Sequence, residues 1–352
     1  MTQNNAIMTE IDWNGGKNDI CWYSPKLPPF TVHGLCTEDT SLPLHRMPPA
    51  VASKVSERVN ALHWDTAGGR IRFATDSPYI AVYLRYNRDT IHPIVNLSGQ
   101  AGMDLYEIDG GKYRYIATLA PRNELPEVFT AIAESATTDV RTYSINLPAY
   151  QGVTDLYIGL AEGANVLAAA PYKHSKPVLY YGSSITQGAY ASRPGNTYPA
   201  LLERYLDTDY INLGFSGGAC GETAMAEHLA SLGASVFVCD YDYNADTSEE
   251  LEATHLEMYR IYRRSNPTTP IVFMSRPDPM NNPVTVSRQE VIKRTVSIAK
   301  SEGDDNVYFV NGALALQGDW SDSCTFDGVH PTDLGFYRMA EALKDLLACL
   351  LN

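Results

Sequence analysis

The spacing of apolar residues changes near residue 165, and this change most constrains the fold. From about residue 30 to 165 apolar and polar residues alternate, as in GRIRFATDSPYIAVYLRY (69–86) and RTYSINLPAYQGVTDLYIGL (141–160). A period of two, interrupted by Gly, Pro and Asp clusters, is typical of antiparallel strands that bury one face. This part of the chain is therefore predicted to form an all-β domain, a sandwich or jelly roll.

After residue 177 short apolar runs alternate with helical patterns. The runs are at 178–181, 235–239, 270–274 and 306–310, and the clearest helical patterns are at 196–206, 248–265, 285–301 and 332–350. Strands buried on both faces and separated by helices predict an α/β fold with a doubly wound parallel sheet. We predict an N-terminal extension (1–24), the β-domain (25–165), a linker (166–177) and the α/β domain (178–352).

Four polar blocks follow predicted strands or precede the last helix of the α/β domain. They are GSS (182–184), FSGG (215–218), DYNA (242–245) and DGVH (327–330). Ligands in such sheets bind beyond the carboxyl ends of the strands, so these blocks mark the candidate site. The blocks contain Ser184, Gly217, Asn244, Asp327 and His330.

These five residues are the groups that acyl transfer needs. A serine hydroxyl such as that of Ser184 becomes a good nucleophile when a histidine removes its proton, and a carboxylate fixes the tautomer of that histidine. Asp327 and His330 are three residues apart around a turn, which allows that contact. The N–H groups of Ser184 and Gly217 and the amide of Asn244 could stabilise the oxyanion of a tetrahedral intermediate.

The blocks resemble the four ordered motifs of the SGNH hydrolases, the GDSL esterase and lipase superfamily. GSSIT, NLGFSGG, DYN and DGVH match the motifs in order, and GMDLY (102–106) resembles the GxDLY motif of a β-domain that precedes one SGNH subgroup. The resemblance implies a flavodoxin-like catalytic domain in which Ser184, His330 and Asp327 form the triad. It also implies an oxyanion hole of Ser184, Gly217 and Asn244.

The sequence departs from the superfamily pattern at two places. Ser183 stands where an Asp often precedes the nucleophile, and Asp242-Tyr243-Asn244-Ala245 replaces the usual Gly-x-Asn-Asp, so an extra carboxylate could reshape the pocket. A G-x-S-x-G nucleophile elbow is excluded because Thr186 occupies the place of its last glycine. Ser183 remains the close rival of Ser184, and Gly214 and Gly218 remain alternatives to Gly217.

Other candidate residues have weaker support. Trp320 and Tyr243 are predicted substrate-binding residues. For Trp320 the reason is that a flat aromatic face suits the CH face of a sugar, although Trp320 could equally pack in the core. Asp104, inside GMDLY, is interpreted as a structural brace. No role is assigned to His228 or His255, which fall in amphipathic helical patterns.

Charge and composition narrow the partners. Net charge is −14, which disfavours nucleic acid and anionic membranes, and there is neither a run of about eighteen apolar residues nor a signal-peptide pattern. The six cysteines show no C-x-x-C pair, so neither a metal site nor a disulfide framework is expected, and an acyl-serine mechanism needs no cofactor. A cytoplasmic protein is expected, with a small-molecule or oligosaccharide ester as its partner. The sequence does not indicate the oligomeric state.

The predicted function is hydrolysis of short-chain esters through an acyl-serine intermediate. In SGNH subgroups with a preceding β-domain, carbohydrate O-acetylesterases are prominent, and the resemblance therefore implies deacetylation of oligosaccharides. Two alternatives remain open: an acyltransferase that uses the same triad, and a sugar-binding protein whose SGNH domain is inactive.

Overall fold

A computed structural model describes residues 11–39, 41–87, 91–92, 95–135 and 137–352. The strands are β1 (Ile20–Tyr23), β2 (Thr31–His33), β3 (Arg70–Thr75), β4 (Tyr79–Tyr86), β5 (Met103–Asp109), β6 (Lys112–Leu119), β7 (Val128–Glu134), β8 (Arg141–Asn146), β9 (Val153–Ala161), β10 (Val166–Leu167), β11 (His174–Gly182), β12 (Thr208–Gly214), β13 (Val236–Asp240), β14 (Ile271–Met274) and β15 (Val307–Val310). The α-helices are α1 (Pro49–Val55), α2 (Glu57–Leu62), α3 (Leu97–Gln100), α4 (Ser184–Gln187), α5 (Tyr198–Leu206), α6 (Thr223–Ser231), α7 (Ser248–Ser265), α8 (Pro283–Ser301), α9 (Gly312–Ala315) and α10 (Asp333–Leu350). Within these ranges, no helix has both the length and the apolar character needed to cross a membrane.

The N-terminal part forms two antiparallel sheets that share one core. One sheet has the order β1-β9-β4-β7, and the other has the order β10-β3-β8-β5-β6 with β2 paired to β3. Alternate residues of β4, namely Ile80, Val82 and Leu84, are buried in this core together with Ile71 and Phe73 of β3. The alternation in the sequence thus places one face of each sheet inward, and the predicted β-sandwich is confirmed.

The C-terminal part forms a parallel sheet with the order β12-β11-β13-β14-β15. Leu179 and Tyr181 of β11 pack on one face with α6, α7 and α8, whereas Val178 and Tyr180 pack on the other face with α5 and α10. The predicted doubly wound sheet is confirmed. Strand β11 has β12 on one side and β13 on the other, so the chain reverses its direction of winding at β11, and such a switch point opens a crevice at the carboxyl edge.

The structure differs from the predicted domain limits. Strand β1 lies inside the predicted 1–24 extension and pairs with β9, and β10 and the start of β11 lie inside the predicted 166–177 linker. Both segments are short, and their few apolar residues gave no periodic signal. They are nevertheless parts of the sheets.

Helices α1 and α2 also cross the predicted division. Although they lie within residues 25–165, Ala52, Val59 and Leu62 of these helices are buried in the same cluster as Leu213 and Met225 of the α/β part. The N-terminal part is therefore not purely β, and it completes one face of the parallel sheet.

Buried polar contacts fix the two parts together. The Arg70 guanidinium on β3 pairs with Asp209 and lies 3.8 Å from the centre of the Tyr210 ring, while His33 Nδ1 is 2.9 Å from Asp209 Oδ2. Asp104 accepts a hydrogen bond from the N–H of Gly195 at 3.0 Å, so this residue connects the two parts of the chain. The predicted brace is thus a contact between the β-sandwich and the α/β part.

Candidate active site

The turn that bears the predicted nucleophile, residues 182–184, joins β11 to α4. Ser183 is fully buried and its Oγ accepts a hydrogen bond from the N–H of Ile185 at 3.2 Å, so it caps the short helix. Glycine is required at 182, because a Cβ there would lie 1.7 Å from Asp240 Oδ1. Of the two rival serines, Ser184 is the one whose Oγ contacts a histidine, at 2.9 Å from His330 Nε2.

The D-x-x-H turn brings the acid and the histidine together. His330 Nδ1 is 2.8 Å from Asp327 Oδ2, and Asp327 Oδ1 accepts the backbone N–H groups of His330 at 2.8 Å and Val329 at 3.0 Å. Partial burial of Asp327 opposes its charge, but these hydrogen bonds outweigh burial and lower the pKa of Asp327. Gly328 adopts φ +81°, which glycine tolerates best, and this conformation lets the turn close.

The loop of the predicted oxyanion donors is joined to the strand end before Ser184, because the N–H of Phe215 donates to the carbonyl of Gly182 at 2.8 Å. Asn244 Nδ2 donates to the carbonyl of Phe215 at 3.1 Å, which leaves its second N–H hydrogen for a substrate. Among the residues that the structure describes, the N–H groups of Ser184 and Gly217 have no hydrogen-bond acceptor. The structure therefore brings the hydroxyl, the imidazole and the carboxylate into one hydrogen-bonded line, and the two predicted backbone donors remain available.

Backbone hydrogen bonds also separate the three glycines that could supply an oxyanion donor. The N–H of Gly214 donates to Asn212 Oδ1 at 2.9 Å, and the N–H of Gly218 donates to the carbonyl of Phe215 at 2.9 Å. Gly217 is exposed at φ +65°, and a Cβ there would meet open space. The oxyanion role of Gly217 stays a prediction, but its rivals already have acceptors.

Two buried carboxyl groups lie behind the turn. Asp240 accepts hydrogen bonds from the hydroxyls of Thr186 and Tyr198, and burial raises the pKa of Asp240 to about 7. Asp242 accepts the backbone N–H of Arg276 at 3.0 Å, and burial raises its pKa to about 6. The extra carboxylate expected to reshape the pocket is thus 1% exposed, and it holds a neighbouring loop rather than lining an open cleft.

The two predicted substrate-binding aromatics have different surroundings. Trp320 is 73% exposed, so the alternative of core packing is wrong for this residue. No ring contact joins Trp320 to His330 in the described part of the chain. Tyr243 is half-buried under the Arg276 guanidinium, which lies 3.9 Å from its ring centre.

Sequence reasoning missed two aromatic residues beside the histidine. The ring centre of Tyr190 is 4.9 Å from that of His330 and 4.6 Å from that of Phe326, on which Tyr190 stacks. Phe326 is 57% exposed, and its position next to Asp327 was a signal that could have been noticed. Tyr190 has φ +68°, an uncommon conformation for a residue with a large side chain, and no sequence pattern indicates it.

Comparisons with known proteins identify the family of both parts of the chain. Residues 175–348 match the family model described as the GDSL-like lipase/acylhydrolase family, and residues 20–166 match the model described as the N-terminus of Esterase_SGNH_hydro-type, named GxDLY. A search of curated proteins finds no significant match.

Several solved structures share the whole architecture. A protein from Bacteroides ovatus described as a GDSL-like lipase is 28% identical with a TM-score of 0.85, over 95% of this chain and 98% of that one. A salicylyl-acyltransferase from a tetracycline biosynthetic pathway is 22% identical with a TM-score of 0.75, over 94% and 97%. A family two carbohydrate esterase from Clostridium thermocellum, solved with cellohexaose, is 15% identical with a TM-score of 0.63, over 92% and 99%.

The last two likenesses concern the fold alone, since their identity is low. The two family models, by contrast, together span almost all of the chain after residue 20. The chain therefore belongs to the GDSL-like (SGNH) hydrolase superfamily and is an esterase-type enzyme with a GxDLY-type N-terminal domain.

Proposed function

We propose that this protein is a serine esterase that removes short acyl groups, most specifically acetyl groups, from carbohydrate hydroxyls. The observation that carries the proposal is the line of hydrogen bonds from Ser184 Oγ to His330 Nε2, at 2.9 Å, and from His330 Nδ1 to Asp327 Oδ2, at 2.8 Å. A general base must lie within hydrogen-bond reach of the proton it removes, and His330 does.

The geometry supports a two-step reaction. His330 Nε2 takes the proton of Ser184 Oγ as that oxygen attacks the ester carbonyl, and the resulting oxyanion faces the donors of Gly217 and Asn244. The imidazolium, stabilised by Asp327, then gives its proton to the departing alkoxide, which leaves an acyl-serine. In the second step water attacks the acyl-serine with the same base, and the carboxylic acid and free Ser184 are released.

The proposed substrate class follows from the surroundings of His330. This imidazole protonates the leaving alcohol, so the alcohol part of the ester passes beside His330 and meets the stacked rings of Tyr190 and Phe326. A flat aromatic surface suits the CH face of a sugar ring. Structures of the same fold described as carbohydrate esterases and as an acetyl xylan esterase are compatible with such an alcohol.

The first test is acetate release from acetylated xylo- and manno-oligosaccharides. Wild type should release acetate, and Ser184→Ala should lose more than about 99% of the activity because the nucleophile is gone. Ser183→Ala is the matched control: it removes a helix cap worth about 1 kcal/mol but keeps the nucleophile, and should still be labelled by a fluorophosphonate. Full activity of Ser184→Ala would refute the proposal.

A second candidate, acyl transfer to an alcohol, is favoured by the likeness to the salicylyl-acyltransferase over most of both chains. Transfer and hydrolysis differ only in whether an alcohol or water attacks the acyl-serine. We would supply an acetyl ester together with a tenfold excess of a sugar alcohol and quantify acetate and new ester by mass spectrometry. New ester in excess of acetate would favour the transferase, and acetate alone would favour the esterase.

The third alternative, an inactive sugar-binding protein, is disfavoured by the same geometry. Hydrogen bonds link Ser184 to His330 and His330 to Asp327, and a protein that only binds sugars would not need them. Glycan binding unaffected by Ser184→Ala, together with no turnover and no fluorophosphonate labelling of wild type, would restore this alternative.

A further inference from the structure

A buried hydrogen-bonded path runs from the β-sandwich part of the chain to the nucleophile turn. Asp65 lies in the segment between α2 and β3 and is fully buried. Its Oδ2 accepts a hydrogen bond from Nε2 of Gln187 at 2.8 Å, although the two residues are 122 positions apart. Gln187 is itself fully buried and is the last residue of α4, the helix that begins with Ser184.

The partners of Gln187 fix the orientation of its amide. The NH₂ group faces two acceptors, Asp65 Oδ2 at 2.8 Å and the carbonyl of Ala149 at 3.2 Å, both from the β-sandwich part. The amide oxygen must then point the opposite way, where it accepts the backbone N–H of Ser216 at 2.9 Å. In a flipped amide the oxygen would face the oxygens of Asp65 and Ala149, and the NH₂ group would face the N–H of Ser216. Only the observed orientation is therefore stable.

Ser216 is the residue that precedes Gly217, and Phe215 before it provides the carbonyl that holds Asn244 Nδ2 at 3.1 Å. Anchoring the N–H of Ser216 therefore fixes the backbone between the two donors that face the oxyanion. The hydroxyl of Tyr150, also from the β-sandwich part, donates to the carbonyl of Ser184 at 3.1 Å. The N-terminal part thus contacts the turn that bears the nucleophile directly through Tyr150, and it reaches the loop that bears the oxyanion donors through Gln187.

We propose that Gln187 and Asp65 are positioning residues for the oxyanion hole, through which the β-sandwich part sets the rate of the chemical step. The inference rests on the proposed function, since it concerns the same reaction. Neither residue touches the reacting atoms. Their effect is to hold the Gly217 N–H and the Asn244 amide where charge develops in the transition state.

Gln187→Met is the main test, because methionine has a similar volume and cannot replace the three hydrogen bonds of the Gln187 amide. A misplaced oxyanion donor weakens transition-state binding more than substrate binding. We therefore expect kcat for acetyl ester hydrolysis to fall about ten- to a hundredfold, with KM changed less than about threefold. Gln289→Met is the matched control: Gln289 is also a buried amide, 2% exposed, but it bonds Asn281 and Asn311, and its loss should leave kcat within about twofold.

A double-mutant cycle separates positioning from general destabilisation. If Gln187 acts through the oxyanion hole, Gln187→Met should cost less in an Asn244→Ala background than in wild type, because part of the hole is already lost. Additive losses of kcat would overturn the inference. So would a wild-type kcat in Gln187→Met accompanied by a lower unfolding midpoint, since a purely structural residue behaves in this way.

Asp65 provides a second variant pair that does not depend on the folding of Gln187→Met. Asp65→Asn keeps an oxygen that can accept from Gln187 and should retain at least about half of kcat, whereas Asp65→Ala removes the acceptor and should lower kcat about tenfold. Equal kcat values in these two variants would overturn the inference. Loss of turnover in Ser184→Ala together with wild-type kcat in Gln187→Met would reject the positioning role alone, whereas turnover retained in Ser184→Ala would reject the proposed function itself.

Discussion

Asp327→Asn is the substitution whose outcome the geometry defines most sharply. Asp327 Oδ1 accepts two backbone N–H groups, from Val329 and His330, so the oxygen of the introduced amide must take that place. Its NH₂ group would then face His330 Nδ1 and donate to it. That contact leaves the proton of the neutral imidazole on Nε2, from where it points at Ser184 and blocks proton removal.

The expected loss follows from this tautomer exchange. A wrong tautomer at a catalytic histidine costs about ten-thousandfold in kcat. The Asp327 and His330 side chains are 32% and 24% exposed, and water can partly replace the lost carboxylate, so we expect the lower value of about a thousandfold. A thousandfold loss corresponds to about 4 kcal/mol of transition-state stabilisation.

The assay is steady-state hydrolysis of an acetyl ester at pH 7.5, with the unfolding midpoint measured by circular dichroism. Asp322→Asn is the control, because Asp322 lies in the same loop and, in the described part of the chain, does not contact His330. The midpoint of Asp327→Asn should stay close to wild type since both backbone bonds survive. A loss below about tenfold would show that Ser184 and His330 work as a dyad and that our role for Asp327 is wrong.

Three further predictions concern the surroundings of the triad. Asn244→Ala should lower kcat about a hundred- to a thousandfold at nearly constant KM in the same ester assay, and an unchanged kcat would remove Asn244 from the oxyanion hole. Tyr190→Asn removes the ring but introduces a residue that tolerates positive φ, so KM for acetylated oligosaccharides should rise about three- to tenfold. Tyr190→Phe keeps the ring and should have the KM of wild type. Equal KM values in the two variants would contradict a role of the aromatic surface in binding. Burial raises the pKa of Asp240 in the folded state from 3.8 to about 7. Between these two pKa values the native state binds more protons than the unfolded state. The free energy of unfolding therefore falls as pH rises from about 4 to about 7. Urea unfolding should therefore show the wild type losing on the order of 2 kcal/mol relative to Asp240→Asn between pH 5 and pH 8, and parallel pH curves would refute that pKa assignment.

The parallel sheet and the candidate catalytic motifs could be predicted from the sequence because their signals are local. Runs such as 178–181 and 270–274 are apolar on both faces, and the structure has strands β11 and β14 there. Ser184 and the D-x-x-H turn follow from motifs only a few residues long. Helices α1 and α2 were missed because 7 and 6 residues give too few turns for a helical period to emerge.

The features that sequence reasoning missed depend on contacts between distant residues or on backbone conformation. Gln187 reads as an ordinary helix residue, and its bond to Asp65 exists only once the two parts of the chain have packed together. Tyr190 is placed against His330 by a left-handed backbone conformation, for which tyrosine has no intrinsic preference. Trp320 was judged from its type, and only the structure separates a surface position from a core position.

The shared core formed by α1 and α2 has a consequence for how the chain is made. Synthesis delivers Ala52, Val59 and Leu62 early, whereas Leu213 and Met225, which cover them, emerge more than 150 residues later. During that interval the apolar faces of both helices stay in water, which favours association with other chains. Fragments that stop near residue 170 would carry the same uncovered faces permanently, so the first half of this chain depends on Leu213 and the residues that follow it to bury them.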